Sequence, residues 1–224
     1  MSSELPNVVE SRKLSAPTIT PQALTWDGAH LWIGSRDLKR IYKIEPNEWK
    51  VLGEIVPPGI PWAAVATNGS IRFTIGEGPN DDRYVYSFSN GHFEKLFQCP
   101  DFTGSYLSFD GQSVYLSQWY EQRILKMDAD GNIVREIFVG AEISGHTFVN
   151  GSIYVLRGTE TPNDPTKTNE DWRIARLDPH EQTPKVCDVA VIPFASRSLT
   201  FDGKYFWSNH RAANETIAFE LPKS

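Results

Sequence analysis

One short pattern recurs five times along the chain, and it constrains the fold more than any other feature. Each copy has an Asp-Gly or Asn-Gly pair between two runs of apolar, β-branched or aromatic residues. The copies are ALTWDGAHLWIG, AVATNGSIRFTI, YLSFDGQSVYLS, HTFVNGSIYVLR and SLTFDGKYFWSN, centred on Gly28, Gly69, Gly111, Gly151 and Gly203. About forty residues separate successive glycines, with one longer interval before Gly203. A repeat of this length is typical of a four-stranded β-propeller blade.

Each repeat also has the internal order of a propeller blade. The Asp-Gly or Asn-Gly pair predicts a type I′ hairpin turn between the first two strands. Two further strand-like segments follow, as in RIYKIEP and WKVLGEI of the first repeat. No window shows the 3.6-residue periodicity of an amphipathic helix, which a parallel β/α fold would need. The sequence therefore predicts an all-β, five-bladed β-propeller.

The fifth repeat lacks a fourth strand, because only a short segment follows TIAFELP (216–222). The segment VVESRKLSAP (8–17) precedes the first repeat as WKVLGEIVPP precedes the second. We therefore predict that the N-terminal strand joins the last blade and closes the ring, which leaves only short, protected sheet edges. The predicted single domain spans residues 1–224, with blades at about 18–57, 58–99, 102–140, 142–193 and 194–222 and an N-terminal strand at 6–16.

Charge and hydropathy exclude two classes of partner. The formal net charge is −6 and no stripe of Lys and Arg occurs, so the electrostatic attraction that dominates nucleic-acid binding is missing. No apolar run reaches the length of a signal peptide or a membrane span. We expect a cytoplasmic protein that binds neither nucleic acid nor membrane.

The ends of the first two strands of each blade converge on the central channel at one rim, called here the top face. The hairpin corners resemble one another, but the residues at this rim differ in every repeat and include Trp, Tyr, His and Arg. A concave site with a few converging polar groups is the default prediction for ligand binding. The predicted ligand-binding residues are Gln22, Trp62, Glu77, Tyr106, Trp119, Arg157, Arg197 and Arg211.

The three arginines among these residues predict an anionic small-molecule ligand, since a guanidinium group binds carboxylate and phosphate through paired hydrogen bonds. Internal ion pairs with Glu77, Asp37 or Glu215 are an equally good explanation of the same arginines. The aromatic residues could stack on a planar or sugar-like ligand, or could plug the mouth of a narrow ring.

His146 and His210 are the candidate catalytic residues. They belong to adjacent blades, and imidazole is the usual proton-transfer group near neutral pH. The alternative is that each ring only bonds a neighbouring backbone carbonyl. No motif of a known hydrolase, metalloprotease or nucleotide-binding loop occurs.

Two insertions fall in loops at the top face, GEGPNDDR (76–83) and GTETPNDPTKTNED (158–171), and could form a lid. Their Asn and Asp residues raise the possibility of a channel or loop calcium ion. Their spacing follows no known calcium-loop motif, and turn formation explains the composition better. We therefore predict no metal site and no cofactor.

Residues 20–44 resemble the first blade of the five-bladed glutaminyl-peptide cyclotransferase family, whose opening reads roughly Phe-Thr-Gln-Gly-Leu, a turn Asp-Gly, then Tyr-Glu-Ser-Thr-Gly. Here Thr20-Pro21-Gln22-Ala23-Leu24 and Asp27-Gly28 correspond to that opening. Ile33 stands where the family carries its functional glutamate, and the later blade-opening motifs are also replaced. The resemblance implies the five-bladed architecture with a different rim, and the family's activity is not carried over.

Two hypotheses for function follow. In the first, the top-face pocket binds an organic anion or sugar-like molecule and could act on it as an enzyme. In the second, the propeller is a non-catalytic platform that holds a protein or peptide on its aromatic rim. The fold alone does not choose between them. A deep pocket with converging polar groups favours the first, and a flat rim over a plugged channel favours the second.

Overall fold

A computed structural model describes residues 4–159 and 171–223, and in that part of the chain twenty strands form five four-stranded antiparallel sheets. Blade 1 contains β2 (Pro21–Trp26), β3 (Leu31–Ser35), β4 (Arg40–Glu45) and β5 (Lys50–Ile55). Blade 2 contains β6 (Ile60–Thr67), β7 (Ser70–Glu77), β8 (Asp82–Ser89) and β9 (His92–Gln98). Blade 3 contains β10 (Leu107–Phe109), β11 (Val114–Gln118), β12 (Arg123–Met127) and β13 (Ile133–Phe138).

Blade 4 contains β14 (Glu142–Val149), β15 (Ser152–Thr159), β16 (Asp171–Leu177) and β17 (Cys187–Ile192). Blade 5 contains β18 (Ser196–Phe201), β19 (Phe206–His210), β20 (Glu215–Glu220) and β1 (Val9–Ser15). Helix is limited, in the described residues, to the 3₁₀ turns Pro100–Phe102 and Arg211–Ala213. None of these described segments is a helix long and apolar enough to cross a membrane. The prediction of an all-β, five-bladed propeller is confirmed.

The N-terminal strand closes the ring, as predicted from the incomplete fifth repeat. β1 pairs antiparallel with β20, from Val9 opposite Glu220 to Ser15 opposite Glu215. Just before β1, the backbone N–H of Val8 donates to the carbonyl of Val191 in blade 4, at 2.9 Å. The start of the chain therefore completes blade 5 and also ties it to its neighbour.

The core of the molecule lies between blades. Each hydrophobic cluster of the described residues joins two adjacent sheets: Trp32 of blade 1 packs with Phe73 of blade 2, and Trp172 of blade 4 packs with Phe219 of blade 5. Comparable clusters join blades 2 and 3, 3 and 4, and 5 and 1. Each blade thus buries one face against each neighbour, and stability depends on an unbroken ring.

The hairpin corners differ from the prediction in their turn type. Asn150 and Gly151 both have positive φ, +51° and +79°, which is the predicted type I′ turn. At Asp27-Gly28 only the glycine has positive φ, and the Asp27 carboxylate accepts hydrogen bonds from the backbone N–H groups of Ala29 and His30. Aspartate can bond its own backbone in this way, so it stabilises a longer turn than the two-residue one predicted.

Aspartate at these corners also binds an aromatic residue of the next strand. Asp27 accepts from Trp32 Nε1 at 2.7 Å, Asp202 from Trp207 Nε1 at 2.7 Å, and Asp110 from the Tyr115 hydroxyl at 3.1 Å. Burial alone would raise the pKa of Asp27, but the hydrogen bonds from Trp32 and the two backbone N–H groups lower it below its ordinary value. The same lowering of the pKa, against the same opposing burial, occurs at Asp110.

We expect Asp27→Ala to lower the free energy of unfolding by about 1–2 kcal/mol at pH 7, because it removes charge-assisted hydrogen bonds to the turn and to Trp32. The pKa of Asp27 is lower in the folded state than its ordinary value of 3.8. The ionised carboxylate therefore stabilises the fold above pH 3.8, and this stabilisation is lost as the pH falls below that value. Urea unfolding at pH 7 and pH 3 measures both effects. Asp130→Ala, at an exposed turn, is the control and should change little.

We expect Val8→Asp to prevent stable folding, because Val8 is 6% exposed and packs in the cluster that joins blades 4 and 5. Val9→Asp is a matched control, since the neighbouring side chain is 56% exposed. Circular dichroism melting curves compare the two variants. Equal melting temperatures for the two would show that the N-terminal segment does not hold the ring closed.

Candidate functional site

A cavity of about 370 Å³ opens at the top face, where the first strands of the blades begin around the central axis. Its described walls come from blades 1, 2, 3 and 5 and the segments that adjoin them. They include the aromatic residues Trp62, Tyr106, Trp119 and Tyr120, the arginines Arg36, Arg83, Arg197 and Arg211, and the polar or acidic residues Gln22, Thr103, Ser105, Gln118 and Glu121. The molecule therefore has a concave polar and aromatic site where the sequence predicted one.

Backbone irregularities at the start of the first strands present side chains to this cavity. The pairing register of β2 with β3 skips Gln22, and that of β6 with β7 skips Trp62. A β-bulge of this kind turns a side chain away from the regular alternation of the strand. Both residues line the cavity, whereas Ala23 and Ala63, next along each strand, are packed in the cores between blades.

Blade 2 supplies one wall, in which an indole, a carboxylate and a guanidinium are held together. Trp62 Nε1 donates to Asp81 Oδ1 at 2.8 Å, and the Arg83 guanidinium lies over the Trp62 ring, 4.1 Å from its centroid. Arg83 also bonds Asp81, at 3.1 Å. Gly76 makes this arrangement possible, because a Cβ there would lie 1.6 Å from Asp81 Oδ1.

Blade 3 supplies the facing wall around Trp119. Its indole N–H donates to Glu142 at 2.6 Å, which fixes the ring plane. The Arg197 guanidinium contacts two indoles, 5.1 Å from the centroid of Trp119 and 5.2 Å from that of Trp172. Such cation–π contacts hold an arginine in place while leaving its charge at the cavity.

The floor contains a hydrogen-bonded network around Gln22. Its side-chain N–H groups donate to the Tyr106 hydroxyl at 3.2 Å and to the Trp62 carbonyl at 3.3 Å, and its Oε1 accepts from Arg211 at 2.7 Å. Burial raises the pKa of Tyr106, although the nearby positive charge of Arg197 and the bond from Gln22 oppose that rise. Tyr106 therefore stays a neutral phenol at physiological pH.

The described walls of the cavity contain more arginines than acidic residues, in an acidic protein. Four arginines and one glutamate line its described walls, while the chain as a whole carries a net charge of −6. Asp37 pairs with Arg36 and Asp81 with Arg83, both at the edge of the cavity. Guanidinium groups in these positions can bond carboxylate or phosphate groups.

Six of the eight predicted ligand-binding residues come together in this cavity: Gln22, Trp62, Tyr106, Trp119, Arg197 and Arg211. Glu77 instead accepts hydrogen bonds from the Tyr86 hydroxyl and from Lys95, on the outer strands of blade 2. Arg157 bonds Asp188 at 2.7 Å and the carbonyl of Val139, so this arginine forms an internal ion pair, although with none of the three acidic residues named in the alternative. Neither residue is part of the described cavity wall.

His146 lies in the central channel below the cavity and is buried. Its Nε2 must donate to the Tyr106 carbonyl at 3.2 Å, since a carbonyl only accepts, and its Nδ1 therefore accepts from the Ser108 hydroxyl at 2.7 Å. Burial lowers the pKa of His146 to about 4, against the opposing effect of the bond to Tyr106. His146 therefore bonds a neighbouring backbone carbonyl, which is the alternative to proton transfer given in the sequence analysis.

His210 lies at the end of β19, with its ring 5.7 Å from that of Phe194 and its Nδ1 3.6 Å from Glu215. It is absent from the described cavity wall, although the next residue, Arg211, is part of it. The structure therefore does not bring the two candidate catalytic histidines together at the cavity.

Seven of the described wall residues are not among the ligand-binding residues predicted from the sequence: Arg36, Arg83, Thr103, Ser105, Gln118, Tyr120 and Glu121. Ser105 and Gln118 occupy rim positions that the blade alignment marks, so position alone could have identified them. Arg83 could not be found in this way, because it begins the third strand and reaches the cavity only by lying over Trp62.

The structure describes the first predicted insertion (76–83) completely and the second (158–171) only at its ends. In the first, half of the residues belong to the ends of β7 and β8, and the Asp81 carboxylate bonds Trp62 and Arg83. The second, including Asn163 and Asp164, falls almost entirely outside the described residues. Among the residues that the structure does describe, no group of three His, Cys, Asp or Glu side chains could hold a metal ion.

The fold and the cavity define this chain as a five-bladed β-propeller with a polar and aromatic central site. No protein-family model matches the sequence, and no curated protein matches it significantly. Similar solved structures include Myxococcus xanthus glutaminyl cyclase, with a TM-score of 0.71 at 12% identity over 97% of this chain and 98% of that one. The architecture is therefore that of the family which the first blade resembles.

Other similar structures have different activities. The PQQ-bound aldose sugar dehydrogenase of Streptomyces coelicolor gives a TM-score of 0.62 at 12% identity over 98% of this chain and all of that one. Regucalcin, a calcium-binding protein of Agrobacterium tumefaciens, gives 0.60 at 10% identity over 97% of this chain and 96% of that one. At these identities the likeness shows the fold alone, which carries both enzymes and binding proteins.

We expect the stability of the protein to rise between about pH 4 and pH 6.5, because His146 titrates at about 4 when folded against an ordinary value of 6.5. In this pH range the unfolded chain binds more protons than the folded chain. Neutral His146 therefore stabilises the fold fully above pH 6.5, and this stabilisation decreases by up to about 3 kcal/mol as the pH falls to 4. Urea unfolding as a function of pH measures the slope. His146→Gln should flatten the slope, whereas the control His92→Gln, at an exposed position that begins β9, should leave it unchanged.

Proposed function

We propose that the top-face cavity binds a small organic anion, with a carboxylate or phosphate group held by arginine and a planar or sugar-like portion held by the aromatic walls. The observation that carries this proposal is the set of four guanidinium groups around one concave cavity in a chain of net charge −6. A cationic ligand would instead be repelled by these guanidinium groups. The proposal is for binding and assigns no reaction.

The dimensions of the site support a small molecule rather than a surface partner. A volume of about 370 Å³ lies within the range of small-ligand pockets. The walls are also held in place before any ligand arrives, since Trp62 and Trp119 are each fixed by a hydrogen bond from the indole to a carboxylate. Preorganised walls lower the entropic cost of binding.

The arginines of the site are suited to recognising a flat anionic group. Arg83 and Arg197 lie on indole rings, which restricts each guanidinium to a narrow range of orientations. A restricted guanidinium loses less conformational freedom when it bonds a carboxylate or phosphate. Stacked arginine and indole surfaces also provide a flat wall for the uncharged part of the ligand.

A thermal-shift screen of carboxylates, phosphate esters, neutral sugars and amines tests the proposal. A ligand present at 100 times its dissociation constant stabilises the folded protein by about 2.7 kcal/mol, which is a readily measured shift in melting temperature. We expect stabilisation by anions and none by amines. Stabilisation by no small molecule would instead favour the interaction-platform hypothesis, for which the 83% exposed Tyr120 at the rim is the available contact.

We expect Arg211→Gln to raise the dissociation constant of the tightest anion from this screen by about 10- to 100-fold. Hydrogen bonds to charged groups contribute roughly 1.5–3 kcal/mol, which corresponds to this range. Arg40→Gln is the control, because Arg40 pairs with Glu54 on the outer strands of blade 1 and should not affect binding. Titration calorimetry of both variants decides the point, and equal affinities would remove Arg211 from the ligand site.

A further inference from the structure

The Tyr106 hydroxyl is the feature of the cavity that most narrowly defines its ligand. Tyr106 is 3% exposed and lines the cavity, and its ring centroid lies 6.4 Å from that of Trp119. Its backbone is held on both sides: the N–H donates to the Ser117 hydroxyl, and the carbonyl accepts from the Ser117 backbone N–H. The position of the phenol is therefore set by blade 3 and not by a ligand.

The orientation of the Gln22 amide follows from its other partners. The Trp62 carbonyl can only accept and the Arg211 guanidinium can only donate, so the amide nitrogen must face Trp62 and the amide oxygen must face Arg211. The same amide nitrogen lies 3.2 Å from the Tyr106 oxygen. Gln22 therefore donates to Tyr106, and the phenol oxygen is the acceptor in that bond.

This assignment leaves the phenol O–H itself as a donor. Within the described residues, no hydrogen bond is given by that hydroxyl to a protein acceptor, in contrast to Tyr115 of the same blade, whose hydroxyl donates to Asp110 at 3.1 Å. A buried donor without an acceptor is unfavourable, and buried polar groups in native proteins are normally satisfied. An oxygen of a ligand bound in the cavity would supply an acceptor for this hydroxyl.

The charges nearest the hydroxyl indicate what kind of oxygen that is. The positive charges of Arg197, Arg211 and Arg83 all act on the Tyr106 phenol. An oxygen that accepts from this phenol therefore lies in a field that favours negative charge, as the donors of an oxyanion site do. A neutral hydroxyl or ether oxygen would satisfy the phenol but would gain little from the guanidinium groups.

We propose that Tyr106 donates its hydroxyl hydrogen to an oxyanion oxygen of the ligand, a carboxylate or a phosphate ester, which Arg211 and Arg197 hold through their charge. This inference rests on the proposed function and adds to it a specific neutral donor. Arginine alone attracts any anion, whereas a fixed phenol selects an anion whose oxygen reaches the floor of the cavity. Tyr106 thus adds to the arginines a donor whose hydrogen bond is stronger when the accepting oxygen carries negative charge.

The test compares wild-type protein with Tyr106→Phe, using benzoate, phenyl phosphate and the neutral analogue benzyl alcohol as probes. We expect Tyr106→Phe to weaken whichever oxyanion probe binds by tenfold or more and to weaken the binding of benzyl alcohol much less, because a hydrogen bond to a charged oxygen is roughly twice as strong as one to a neutral oxygen. A role in shape alone would change the affinity for neutral and anionic probes equally. Quenching of tryptophan fluorescence by the bound probe, or calorimetry, gives the dissociation constants. Comparing the affinities for benzoate and phenyl phosphate distinguishes a carboxylate ligand from a phosphate ester.

Tyr115→Phe is the matched control, since its hydroxyl already has an acceptor and the residue does not line the cavity. It should reduce stability without changing the affinity for any probe. If wild-type protein binds neither oxyanion, the proposed function itself fails. If wild-type protein binds an oxyanion and Tyr106→Phe binds it equally well, the anion site stands and the role of Tyr106 is wrong.

Discussion

Closure of the ring by the pairing of β1 with β20 is the constraint on which the rest of the structure depends. Every hydrophobic cluster described here lies between two blades, so no blade can bury its faces without both neighbours. Without β1, blade 5 would end at β20 with an unpaired edge, and Val8 would leave the cluster that joins it to blade 4. A ring with one open joint loses both packing and sheet pairing at that joint.

The closed ring also explains why binding residues from distant parts of the chain can meet. Gln22 and Tyr106 are more than eighty residues apart in sequence, and Arg211 is farther still, yet all three join one hydrogen-bonded network. Each stands near the top rim of its own blade, and closure brings those rims together around the axis. A change at the ring joint would therefore disturb the site even though no residue of β1 lines it.

The sequence predicts the blades well because their repeats obey local rules. A turn pair between two alternating strands, recurring at a blade-length interval, leaves few alternatives to a propeller, and the incomplete fifth repeat predicts the role of the N-terminal strand. At the hairpin corners these local rules predict the turn but not always its type. Asp-Gly predicts a type I′ turn from backbone preference, but at Asp27 the carboxylate bonds the backbone and Trp32 and so stabilises another turn.

The site was less predictable than the fold, because the direction in which a side chain points matters more there than its place along the strand. Arg157 and Trp119 both stand at the top end of a second strand, yet Arg157 bonds Asp188 beside it while Trp119 lines the cavity. Successive side chains of a strand face opposite sides, so a displacement of one residue decides which side chain faces the channel. The bulges at Gln22 and Trp62 shift that register, and the proline before each of them is a local sign that a bulge is tolerated there.

The same bulges suggest how one architecture serves different ligands. The strand interiors must satisfy packing on both sides, which restricts them to the apolar residues that the repeats share. A bulged residue at the rim is released from that restriction, because its side chain leaves the packed face and points to the channel. The residue type at these two positions is therefore less restricted by packing between blades. The chemistry of the cavity depends on these positions together with the arginines that line it.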